Sequence, residues 1–107
     1  MTKDATLGGY LEVHERPPAF EGADKRAYSV AIYVEEAGDK RGRYAGALLF
    51  VRWTTGGEQP EGHLETEYLA FGDDAAQVES SIRQLTLQQV KDHLDALITG
   101  AQPRPAW

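Results

Sequence analysis

The sequence predicts an α+β fold, in which a four-stranded antiparallel sheet, connected as a meander, is packed on one face by one or two C-terminal helices. Three observations predict it. Apolar residues alternate with a period of two as far as Phe71, and the segments between them carry Gly, Pro and Asp. Beyond Asp74 the period lengthens to about 3.6. Short connections favour antiparallel neighbours, because parallel pairing needs a crossover. Helices gathered at one end of the chain then cover a single face.

The first predicted strand is residues 10–14, "YLEVH", with Leu11 and Val13 on one side and Tyr10, Glu12 and His14 on the other. A connection over 15–26 follows. Its two prolines hold the backbone extended, and Gly22 supplies the freedom for a reversal. Phe20 is its apolar anchor, either turned inward as a cap on the core edge or outward as part of an interface. Loops of this length are often packed on themselves, which favours the inward position. The second strand, 28–35, alternates strongly: Tyr28, Val30, Ile32 and Val34 against Ser29, Ala31, Tyr33 and Glu35.

The "AGDKRGR" turn leads to a third strand over 44–54 that is apolar on both faces. After "TGGEQPEG", the fourth strand is 63–71, "HLETEYLAF", with His63, Glu65 and Glu67 on its polar side. In the helical region Val78, Ile82 and Leu85 form one stripe. Leu87, Val90, Leu94, Leu97 and Ile98 form another, rotated by roughly 150° at 100° per residue. One straight helix cannot bury both against one sheet. Two capping boxes, Asp74 with Gln77 and Thr86 with Gln89, predict instead a short helix over 75–85 and a second over 87–99 that ends at Gly100. The domain is therefore residues 1–100, and 101–107 is a short Pro-rich tail carrying Trp107.

Composition narrows the function. Hydrophobic residues make up 41% and charged residues 26%, as in ordinary globular domains. The chain has no cysteine, so disulfides and thiolate chemistry are excluded. Its longest uncharged apolar run, Ala45–Val51, is too short to span a bilayer. With no apolar N-terminal leader, the expected location is cytoplasmic. The net charge of −6 arises entirely from residues 58–107, and both basic clusters, Lys25-Arg26 and Lys40-Arg41, follow an aspartate. A nucleic-acid surface would show the reverse balance, so nucleic-acid binding is disfavoured.

The face that the helices leave open carries the functional expectation. If Val30, Ile32 and Val34 face the helices, then Tyr33 faces away. The third strand admits two phases. With Arg52 outward, Leu48 and Phe50 join Tyr33 on the open face; with Arg52 inward, Leu49, Val51 and Trp53 do. Either phase gives an apolar centre with a polar rim, the anatomy of a protein–protein interface. The expected function is a non-catalytic interaction or accessory module, homodimeric through this face or bound to a protein partner. Its interface residues would be Tyr33, Leu48, Phe50, Phe20 and Trp107, with no cofactor and no bound metal.

One constellation has chemical potential. His63, Glu65 and Glu67 recur every second residue, so a strand presents all three on one face about 6–7 Å apart. With Arg52, and with His14 if the first and fourth strands met, they form the alternative: a small-molecule or metal-dependent enzyme site. The same spacing also suits a solvated charged edge strand that discourages unwanted pairing.

Overall fold

The structure, a computed structural model, describes residues 6–15 and 17–99. Its elements in chain order are α1 (Leu7–His14), β1 (Ala19–Glu21), β2 (Ala27–Asp39), β3 (Gly42–Trp53), β4 (Pro60–Glu65), β5 (Ala70–Gly72), α2 (Ala75–Arg83) and α3 (Leu87–Thr99). The sheet order is β1-β2-β3-β4, every pair antiparallel, with β5 also pairing β3. The expected α+β class and the antiparallel meander are both present. No helix of the described residues is long and apolar enough to cross a membrane.

Register fixes the two faces. Val30 lies opposite Phe50, Ile32 opposite Leu48, and Phe50 opposite Leu64. Their face meets Leu7 of α1, Val78 and Ile82 of α2, and Val90 and Leu94 of α3 to form the core. All three helices therefore contribute to one face of the sheet. The two apolar stripes at the C-terminal end are buried by two separate helices, as their phases require. Asp74 accepts from the Gln77 amide at 2.8 Å, and Thr86 and Gln89 cap each other reciprocally at 2.9 and 3.0 Å.

Two segments differ from the sequence expectation. Residues 10–14 are not a strand; they belong to helix α1. Thr6 caps it by accepting from the Gly9 amide at 3.0 Å, and Glu15 ends it in the left-handed region at φ 55. Five alternating residues fit a short strand, but Leu7 and Leu11, four apart, both pack on the core, and Tyr10 stacks on His14 at 4.1 Å. Gly8, which looks like turn punctuation, serves a close approach: a Cβ there would come within 2.8 Å of the Arg83 Cβ on α2. The first strand of the sheet is instead β1, inside the expected loop. It covers only the first three residues of β2, Ala27–Ser29.

The expected fourth strand, 63–71, is broken in two. Glu65 lies opposite Leu49 and Ala70 opposite Gly46, so four residues on this side answer two on β3. The Thr66 amide still donates to the Leu48 carbonyl at 3.0 Å, and that of Leu69 to the Gly46 carbonyl at 2.7 Å. The surplus bulges outward at Glu67 and Tyr68.

Candidate functional site

The open face has two parts, set by which side chains β3 turns toward it. At one end it presents Leu49, Val51 and Trp53, all half-buried, beside exposed Ala31 on β2. Trp53 is held by an Nε1–H bond to the Ser29 hydroxyl at 3.0 Å. Nearer the β2–β3 turn the same face presents Ala47 and Ala45, and the missing bulk leaves a depression. Tyr33, Glu35, Arg41, Glu65, Tyr68 and Phe71 stand around it, enclosing a cleft of about 330 Å³. Ala45 is fully covered and Ala47 is 3% exposed, so the alanines are its floor.

Each wall has a local cause. Tyr33 and Glu35 are two apart on β2 and share a face. The bulge carries Tyr68 over the sheet, where its ring meets Phe71 edge-on at 5.8 Å. Phe71 faces the cleft because it lies opposite Ala45. Arg41, in the turn after β2, holds its guanidinium 4.0 Å above the Phe71 ring. Two parallel hydrogen bonds from Nε and an Nη to the Asp39 carboxylate, 3.0 and 3.1 Å, fix that guanidinium.

Glu35 is the hub. Tyr33 donates to one of its oxygens at 2.6 Å and Tyr68 donates to the other. The bond from Tyr33, followed by that from Tyr68, holds the Glu35 carboxyl below the usual carboxylate range. In return the Tyr33 hydroxyl is pushed up to about 12, first by its bond to Glu35 and then by desolvation, with neighbouring Tyr68 and Glu65 adding to it. The Tyr68 hydroxyl is raised for the same leading reason. Both phenols therefore keep their protons, and both protons point at Glu35.

The residues singled out in the sequence fall into separate places. His63 and Glu65 are neighbours on the open face, 3.8 Å apart. Glu67 sits on the bulge, out of the two-residue rhythm of the strand. Arg52 lies on the opposite face, opposite Tyr28, and pairs with Glu61 at 3.5 Å; Arg26 also pairs with Glu61. His14 belongs to helix α1, in the layer beyond the core. Arg52 and His14 are thus not brought to His63 and Glu65, whereas Glu65 and Glu67 line one cleft; among the described residues no group of three His, Asp or Glu is arranged to hold a metal ion.

Of the expected interface residues, Tyr33 is on the open face and 39% exposed. Leu48 and Phe50 are not; both are fully buried against the helices, because Arg52 takes the inward phase and Leu49, Val51 and Trp53 take the outer one. Phe20 lies opposite Tyr28 and packs inward at the core edge. Trp107 lies outside the described residues. Sequence reasoning missed Tyr68, Phe71, Arg41 and the alanine floor. The available signal was "YAGA" at 44–47, small residues where a central strand is otherwise bulky. No family model, curated protein or solved structure matches the chain significantly.

Proposed function

We propose that the chain is a non-catalytic association module that pairs with a second copy of itself through the open face of its sheet. One observation carries this reading: the described helices lie on the other face, while Leu49, Val51 and Trp53 form an apolar strip beside Ala31 with no helix of the described residues over it. Two such strips meet about a two-fold axis without any further complementary surface, since apolar side chains interdigitate when sheets stack about 10 Å apart. Glu65 and His63 form the polar rim on the β4 side, in keeping with interface anatomy. With a net charge of −6 on each copy, salt that screens the mutual repulsion should tighten the pair.

Sedimentation velocity at micromolar concentration tests it. A dimer is expected, and Val51→Glu should return it to monomer with an unchanged fold by circular dichroism. A wild-type chain that sediments as a monomer across that range, at low and moderate salt, rules the reading out.

A further inference from the structure

The cleft at the alanine end of the open face is a second site, built from residues outside the apolar strip. We infer that it binds a small organic cation, an alkylguanidinium or alkylammonium group. Its volume of about 330 Å³ lies at the lower end of the ~300–1,000 Å³ typical of ligand clefts. Its walls are the rings of Tyr33, Tyr68 and Phe71, whose faces attract cations.

The hydrogen-bonding inventory points the same way. Both phenolic protons are committed to Glu35, so the two phenol oxygens offer lone pairs only. Glu65 and Glu67 add carboxylates at the lip, and among the described residues no cation pairs with Glu67. Among the described residues the one cation in the lining, Arg41, already spends its charge on Asp39. The cleft therefore offers acceptors and ring faces, and asks for a ligand that brings donors and positive charge. Its carboxylates do not converge as a metal site would require. The chain itself shows such a contact, since the central carbon of the Arg41 guanidinium stands 4.0 Å from the centroid of the Phe71 ring.

Titration of the isotope-labelled full chain with agmatine and with butylammonium, followed by NMR, tests the inference. Saturable shifts are expected at the Ala47 methyl and at the Tyr33 and Tyr68 rings. Neutral butylurea should bind at least about tenfold more weakly, as loss of the charge predicts. Tyr68→Leu and Glu67→Gln, both at exposed positions of the bulge, should each weaken agmatine by about fivefold with little change in melting temperature. An arginine-containing tripeptide amide, titrated alongside, distinguishes a free metabolite from a partner's side chain: tighter binding than agmatine indicates the side chain, weaker binding the free cation. Shifts that do not saturate, equal binding of butylurea, or agmatine affinity unchanged in both variants would overturn it. Val51→Glu separates this site from the proposed dimer, because it should abolish pairing and leave the agmatine shifts in place.

Discussion

Tyr33 donates its hydroxyl to Glu35 at 2.6 Å from two residues away on the same face of β2. Tyr33 should consequently titrate near 12 rather than 10.0. Because the folded value is raised, the stabilisation is fully present below the unfolded value and is lost as the pH rises through 12. Ultraviolet titration of tyrosinate should show a late-ionising group, and Glu35→Gln should return it toward 10.0. A late group that persists in the variant would mean that the carboxylate is not its cause.

Asp39 supplies the opposite limb. Hydrogen bonds from the Arg41 side chain, then from the Arg41 amide, lower its carboxyl from 3.8 to about 2. A lowered folded value gives stabilisation that is present above the unfolded value and is lost as the pH falls toward 2. Asp39→Asn should flatten the acid side of a melting-temperature profile between about pH 4 and pH 2. The pair is solvent-exposed, so its effect at neutral pH should be small.

Leu48 and Leu49 are consecutive in sequence and belong to opposite faces. Leu48→Ala removes a fully buried side chain and should cost about 2–5 kcal/mol in urea unfolding. Leu49→Ala, on the open face, should cost about 1 kcal/mol or less, and its effect should fall instead on sedimentation. Equal losses at the two positions would contradict the register.

Gly42 joins the β2–β3 turn to the cleft. A Cβ there would stand 2.6 Å from the Gly72 amide nitrogen, and backbone cannot swing aside as a side chain can. Gly42→Ala should push β5 away from β3, destabilise the fold by about 1–3 kcal/mol and displace Phe71 from beneath Arg41. The destabilisation is read from denaturant midpoints, and the displacement from ring-current shifts of the Arg41 protons.

The parts of the fold set by local chemistry were legible. Both C-terminal helices, their caps and the break between them follow from Asp74, Thr86 and the phases of two apolar stripes. The phase of β3 was not, because Leu48 and Leu49 are equally apolar and only the helices decide which one is buried. Residues 10–14 were misread because five residues contain too little periodicity to separate a strand from a helix. Its distinguishing evidence lies outside the window, in the Thr6 cap and in Leu7. The cleft was the least legible, since it depends on a bulge that delivers Tyr68 to a carboxylate on a strand two places across the sheet. The spacing within "HLETEYLAF" says nothing about that distance.

Strand β1 stops opposite Ser29 while β2 runs on to Asp39. The alternation that turns the backbone of Tyr28 toward β1 turns the N–H and C=O groups of Ile32, Val34 and Glu36 to the same side, where no described strand receives them. Such a border is a template on which further strands can grow, and sequences protect it with charge. Two carboxylates stand side by side on this border, one on each face: Glu35, which accepts from Tyr33 and Tyr68, and Glu36, which pairs with Arg43 at 2.8 Å. Replacing both with neutral residues would remove that charge while the apolar residues beside them remain. The double change Glu35→Gln and Glu36→Gln should therefore favour strand addition along the flank of β2, read as fibrils by thioflavin fluorescence at neutral pH.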